Sequence, residues 1–396
     1  MYDDAQLLQE ELVAHRRYLH QHPELGLELF LTSAYVKKKL TEMGYEAVDC
    51  GKSGVLATVG GNSPGKVFLL RADMDALPVK EEVDGDYKST NENMHACGHD
   101  FHTTMLLGAA KLLKENEDKI PGTVKLMFQP AEETLLGAKA MIDAGILENP
   151  RVDGAMMIHV MSGQPFKSGK VVVPLVGISS AASDWFELHI KGRGGHGASP
   201  NKAVDPLNIA AHTHLALQEI NSREVHSSEP LALTIGVMEG GRVSNVIPDR
   251  ALLKGTIRTY EASTREFVKK RVLEISQAMA QVFRGETDAR IIEGCPSIIN
   301  DEDLVNSANK YLVELLGKEE VLPITDVHPS GKSSGSEDFG FLSEVVPTLS
   351  LSLAAGNSLE GYDYPIHHPK VRFDESVLCR GAAVYAYMAL RWLEEH

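Results

Sequence analysis

Residues 123–133 read Thr-Val-Lys-Leu-Met-Phe-Gln-Pro-Ala-Glu-Glu: a short, largely apolar run closed by a proline, with two acids directly behind it. A run of this length before a breaker reads as a strand buried on both faces, the pattern of a parallel sheet. The same pattern recurs upstream at Lys66–Leu70, within KVFLLRADMD, and downstream at Ala155–Ile158, before His159. Val55–Val59 and Thr348–Leu353 read as further strands. Between and around them, apolar residues return at helical spacing in Leu7–Leu19, Tyr35–Met43, Leu106–Leu113, Gly137–Ala144, Asp303–Leu316 and Ser376–Glu394. Strands separated by helices predict an α/β fold, with a mostly parallel sheet covered by helices on both faces.

The pattern changes near Ser180. Trp185–Ile190 (WFELHI) alternates like a half-exposed strand, and a helix follows at Pro206–Ile220. Strands at Leu231–Val237 and Ala251–Ile257, a helix at Thr264–Phe283 and a strand at Asp288–Ile292 complete the order β-α-β-β-α-β. That order predicts a ferredoxin-like α+β domain, 181–294, inserted into a main domain of 1–180 and 295–396.

Composition narrows the function. The 396 residues carry 39 Lys and Arg against 55 Asp and Glu, a net charge of −16, which argues against a nucleic-acid partner. No apolar run approaches the roughly 18 residues that span a bilayer. The acidic opening, MYDDAQLLQEELVAHRR, has no export-signal pattern, so a cytoplasmic protein is expected. Cys50, Cys97, Cys295 and Cys379 form no CxxC pair and read as free thiols.

Three familiar patterns lack their context. Gly60-xxxx-Gly65-Lys66 imitates a phosphate-binding loop, but Val67 replaces the magnesium-binding hydroxyl and GGNSPG reads as a hairpin turn. Gly192-x-Gly194-xx-Gly197 imitates a dinucleotide fingerprint, yet Pro200 and Pro206 delay the next helix. Gly331-x-Ser333-x-Gly335 imitates a nucleophile elbow without a preceding strand.

One constellation survives. Asp73 and Asp75 follow the strand KVFLL. Cys97, His99 and His102 precede or open a helix. Glu132 and Glu133 follow TVKLMFQ, His159 ends AMMI, and His367 lies in the loop after TLSLSL. In an open parallel sheet the carboxyl ends of the strands line one crevice, so these segments can meet there. Alone, His159 reads as a core imidazole and the two glutamates as a solvated helix start. Together, carboxylates beside an apolar strand, a thiol and imidazoles suit zinc, cobalt, nickel or manganese, because a cation offsets the several kcal/mol that an unpaired buried carboxylate costs.

RADMDALPV (71–79), MHACGHDFHTTMLLGAAKLL (94–113), FQPAEE (128–133), GRGGHGASP (192–200), NVIPD (245–249), GTIR (255–258), GSEDF (335–339) and IHHP (366–369) resemble the amidohydrolase branch of the M20 metallopeptidases. That branch includes hippurate hydrolases, N-acyl-amino-acid deacylases and auxin-conjugate hydrolases. The segment HVMSGQPFKSG (159–169) departs from the family's more proline-rich pattern. The resemblance implies a zinc-exopeptidase-like main domain and two divalent ions about 3.5–4 Å apart. Their ligands would be Cys97 (bridging), His99, Glu133, His159 and His367. It implies Glu132 as general acid and base, Asp73 as the acid orienting a ligating histidine, and His196 as a donor to the developing oxyanion. Asn245 and Arg258 would hold substrate. The inserted domain would act as a lid and dimerisation surface, giving a homodimer or higher homo-oligomer.

The expected activity is removal of the acyl group from an N-acyl amino acid. A dipeptidase or carboxypeptidase use of the same site is the nearest rival. A non-catalytic metal- or amino-acid-binding module is a rival of another class, disfavoured by Glu132 and Asp73 together. A nucleotide-dependent oxidoreductase would rest on GRGGHG alone.

Overall fold

In the computed structural model, which describes residues 1–61 and 65–396, Thr123–Gln129 is a strand inside a large sheet. Two units divide the chain: Met1–Ser179 with Ile298–Lys332 and Glu337–His396, and Ser180–Ser297 with Ser333–Ser336. Element labels run in chain order through both.

In the first unit, eight strands among the described residues form the sheet. They are β1 (Val48–Asp49), β2 (Val55–Gly60), β3 (Val67–Asp73), β4 (Thr123–Gln129), β5 (Gly154–Met161), β6 (Val171–Val173), β15 (Val321–Pro323) and β16 (Thr348–Ala354). Their order is β1-β2-β4-β3-β5-β16-β6-β15. β3 runs parallel to β4 and β5, β16 parallel to β5, and β15 parallel to β6, while the β1–β2, β2–β4 and β6–β16 pairs are antiparallel. A ribbon of β7 (Gly177–Ile178) and β14 (Ile299–Asn300) lies apart.

Residue alternation along these strands builds two cores. Phe68, Leu70 and Ala72 of β3, with Leu126 and Phe128 of β4, join α1 (Tyr2–Leu7), α2 (Gln9–Gln21), α3 (Phe30–Glu42), α4 (His99–Glu115), α8 (Glu302–Leu316) and α10 (Leu378–Glu395). Leu69, Met127 and Met157 point the other way, onto α5 (Gly137–Asp143) and α9 (Gly340–Ser343). The sheet is therefore covered on both faces. Lys125 is an interruption in the second core: its buried ammonium donates to the carbonyl oxygens of Ile146 and Glu148 at 2.9 and 2.6 Å. Hydrogen bonding satisfies the charge that burial would otherwise penalise.

The GGNSPG reading needs correction. Residues 62–64 lie outside the described residues, but β2 and β3 do not pair with each other: β4 stands between them. β2 and β3 are therefore not the two arms of a hairpin. Three-residue strands such as β6 and β15 escaped the sequence reading because they are too short to show a period.

In the second unit, β8 (Ala182–Lys191), α6 (Pro206–Glu219), β10 (Ala232–Gly240), β12 (Arg250–Thr259), α7 (Ala262–Val282) and β13 (Glu286–Cys295) follow the order β-α-β-β-α-β. The antiparallel sheet has the order β10-β12-β8-β13. Phe186, Leu188 and Ile190 face the helices, whereas Trp185, Glu187 and His189 alternate to the opposite face. Asp205 caps α6 by accepting from the Leu207 and Asn208 N–H groups, with Pro206 in the first turn where its missing donor costs nothing. β9 (Gly195–His196) and β11 (Val246–Ile247) make a small ribbon. Thus the Gly192–Gly197 pattern leads into a strand, not onto a helix N-terminus. The unit is slightly wider than 181–294, because β13 runs to Cys295 and Ala181 N–H donates to Gly335 O at 3.1 Å. Among the described residues, no helix is long and apolar enough to cross a membrane.

Candidate metal centre

Parallel pairing puts the carboxyl ends of β3, β4, β5 and β16 at one edge of the first unit's sheet, and that edge gathers the charged side chains. Asp73 is the last residue of β3. After β4 the chain turns through Pro130 and Ala131, whose φ is +56°, and delivers Glu132 and Glu133. Gly137 permits that turn, since a Cβ there would sit 1.6 Å from Pro130 O. His159 lies near the end of β5. Gly98, at φ +90°, redirects the chain from Cys97 into α4, so that His99 opens the helix. The loop after β16 is tied back by His367 N–H donating to Ala96 O at 2.8 Å.

Cys97 Sγ lies 3.5 Å from His159 Nε2 and 3.3 Å from His367 Nε2. Glu133 Oε1 is 3.5 Å from His367 Nε2 and 3.9 Å from His99 Nε2. Two donor sets result: Cys97, His99 and His159, and Cys97, Glu133 and His367, each with its donor atoms within 4.8 Å of one another. The Cys97 thiol belongs to both. Glu132 forms a third set with His99 and Glu133, its Oε2 3.8 Å from His99 Nε2.

These groups fit a cation. Both ring nitrogens of His99 and Glu133 Oε1 are buried without a hydrogen-bond partner among the described residues, a costly state for polar atoms. His159 Nδ1–H donates to Val160 O at 2.7 Å, which leaves Nε2 as a lone-pair donor toward Cys97.

Titration follows the same crowding. Burial, with Glu337 and Asp338 next, pushes the Glu132 carboxyl well above its usual range. Burial, reinforced by Asp75 and Asp73, pushes Glu133 to about 7. Burial also raises the Cys97 thiol and lowers His159 to about 3. Against its own burial, Asp73 and Cys97 hold the His99 imidazolium well above the ordinary histidine range.

Asp73 is placed differently from the sequence expectation. Its Oδ1 accepts from His102 Nδ1–H at 2.6 Å, and its Oδ2 accepts from Arg71 at 2.7 Å, 3.7 Å from His99 Nε2. His102 Nε2 meanwhile accepts from Val160 N–H at 2.9 Å. Both nitrogens of His102 are engaged, so Asp73 orients a histidine that has no lone pair left for a metal. The carboxylate facing His99 Nδ1, at 3.4 Å, belongs to Asp75. Asp75 also accepts from the N–H groups of Glu132 and Glu133 at 3.0 and 3.1 Å. One carboxylate therefore fixes the backbone of both glutamates and stands as a counter-charge beside His99. Its position two residues after Asp73 was visible; its distinct task was not.

A buried ion cluster braces this edge and was also missed. Arg71 donates to Gln129, Asp73, Glu337 and Asp338 at 2.7–3.0 Å. Asp338 accepts from Gln129 and from Ala138 N–H, holding the start of α5. The GSEDF segment, whose Glu337 and Asp338 lie more than 200 residues from Arg71, supplied the signal without the partner.

The remaining candidates lie in the second unit. His196 is exposed on β9, with its Nδ1 accepting from Ala198 N–H at 3.0 Å. Asn245 is exposed before β11, and its carbonyl oxygen accepts from Gly197 N–H. Arg258, on β12, is half-buried and lies over the Trp185 ring at 5.9 Å.

Comparison with known proteins agrees along almost the whole chain. N-acetyl-L-cysteine deacetylase of Bacillus subtilis is 36% identical over 395 residues, covering 98% of this chain and 90% of the relative. Thermostable carboxypeptidase 2 of Saccharolobus solfataricus is 35% identical over 397 residues, covering 98% and 97%. A Bacillus subtilis crystal structure described as a dinuclear metal-binding peptidase from the M20 family superposes with a TM-score of 0.81 at 30% identity, covering 98% of this chain and 99% of that one. The model of peptidase family M20/M25/M40 matches residues 69–391, and the chain belongs to that family.

Proposed function

We propose that the chain is a metal-dependent amidohydrolase that releases the acyl group of N-acyl amino acids. Cys97, His99, His159, Glu133 and His367 would hold two divalent ions, with Glu132 carrying the proton. One observation supports this reading above all: two donor sets share the Cys97 thiol, and Glu132 lies beside His99 and Glu133. A thiolate, imidazoles and a carboxylate form a donor set for zinc, manganese, cobalt or nickel.

Ions bound there supply Lewis acidity and a water acidified toward neutrality. The chain's own residues do the rest. Asp75 fixes the Glu132 backbone and faces His99, and burial raises the Glu132 carboxyl, which makes it a better proton acceptor than an exposed glutamate. Glu132 takes the proton from the attacking water and gives it to the leaving nitrogen, since an amide nitrogen departs poorly as an anion. By family resemblance His196 steadies the oxyanion, and Asn245 and Arg258 hold the substrate; the guanidinium suits a carboxylate. Four cysteines outside any disulfide among the described residues support a reducing, cytoplasmic setting. The outer strands β10 and β13 offer edges for a homodimer.

A carboxypeptidase-type use of the site is a second reading, favoured by the carboxypeptidase relative. Parallel turnover of N-acetyl amino acids and dipeptides separates the two. Chelation is expected to abolish amine release, and added divalent metal to restore it. E132Q is expected to lose about 10²–10⁴-fold in kcat while keeping its metal. An E132Q protein as active as wild type would falsify the assigned proton carrier, whereas a metal-loaded wild type without turnover of either substrate class would favour a mere binding module.

A further inference from the structure

The second unit holds a cavity whose lining includes none of the residues assigned to amide hydrolysis. It measures 620 Å³ and opens to solvent at one end of the four-stranded sheet. Its walls include Lys191 at the end of β8, Arg250 at the start of β12, and Arg242 just beyond β10, with His189 and Glu239 beside them. None of these residues is among the metal-donor candidates.

Lys191 and Arg250 are direct cross-strand partners in the β8–β12 ladder. Partners directly opposite project from the same face, so two cations stand side by side, an arrangement that ordinarily destabilises a sheet. Gly241, at φ +70°, turns the chain so that Arg242 joins the same wall. Among the described residues, no carboxylate oxygen lies within 4.0 Å of Lys191, Arg242 or Arg250, the nearby Glu187 and Asp288 being engaged with Lys254, His189 and Arg290. Glu286 lies opposite Lys191 on β13 without pairing, and Glu187, 3.3 Å from His189, is drawn to Lys254 at 2.5 Å. In a chain of net charge −16, acids are plentiful, yet none among the described residues lies within ion-pair distance of these three cations: Asp288, opposite His189 on β13, acts on Lys191 only from farther off and is paired with Arg290 at 2.7 Å.

We propose that this cavity binds a small, multiply charged oxyanion, a phosphate- or carboxylate-bearing metabolite, held by Lys191, Arg242 and Arg250. Guanidinium forks match both oxyanions bidentately, and the volume falls in the range of small-molecule sites.

Calorimetric titration of the metal-loaded full chain, at constant ionic strength, tests this with inorganic phosphate in one arm and succinate in the other. Saturable binding is expected in one arm, and that arm identifies the oxyanion. K191Q/R250Q is expected to weaken it about tenfold or more, and so is R242Q. R242Q lies outside the strands and keeps the test decisive if the double variant fails to melt as a folded protein. Absence of saturable binding in both arms overturns the proposal. Equal binding by wild type and variants overturns it as well, because the anion then sits elsewhere, at the metals for example. So does a variant that loses self-association while its anion binding is unchanged.

Discussion

Asp75 shows how much rests on a single side chain. It holds the backbone of Glu132 and Glu133 and faces the outer nitrogen of His99. Such a partner sets the tautomer and orientation of a metal-binding imidazole. D75N removes the charge and half of the acceptor capacity while keeping the shape. Its metal affinity, read by competition with a coloured chelator, is expected to fall about 10–100-fold. An unchanged affinity would show that His99 is oriented by other means. The sequence displayed Asp73 and Asp75 as near-equivalents two residues apart. Only the fold distinguishes them, because β3 ends between them: Asp73 stays in the strand against His102 and Arg71, and Asp75 passes into the turn.

Among elements, α4 and the strands β3, β4 and β5 explain why so much was legible. Short apolar runs ending in acids or histidine marked the strand ends, and parallel pairing of those strands puts such ends at one edge. The turn before α4 is a tight joint. At Gly98 a Cβ would meet Val160 Cγ2 at 2.4 Å, in a backbone conformation of φ +90° that side chains resist. G98A is expected to cost about 2 kcal/mol or more, from strain and overpacking together, as read by chemical denaturation. A neutral G98A would mean that the Cys97–His99 turn can relax. What sequence could not supply was the long-range half of each interaction. Arg71 finds Glu337 and Asp338 only after β3 and the segment before α9 are packed. The insertion of β4 between β2 and β3 likewise depends on tertiary pairing, not on the turn residues that suggested a hairpin.

For the molecule as a whole, the site stores like charge that a cation relieves. Glu133 titrates near 7 in the fold against an ordinary 4.5. Because the folded value is raised, the native state holds more protons in that window, and the metal-free protein loses stability as pH rises from about 4.5 to about 7. His99, raised by Asp73 and Cys97, acts in the same direction. His159, lowered to about 3, acts oppositely and weakens the fold as pH falls below about 6.5. Bound metal removes the first penalty, so the Tm difference between metal-loaded and metal-free protein is expected to widen from about pH 5 to about pH 8. A gap that narrows over this range would contradict the charge balance described. The shared thiol remains the centre of the account. Metal content by plasma emission spectrometry, on wild type and C97S purified alike, tests it most directly. The prediction is about two ions per chain in wild type and about one or fewer in folded C97S. Two ions retained by C97S, or a single ion in wild type, would contradict a pair of metals bridged by Cys97.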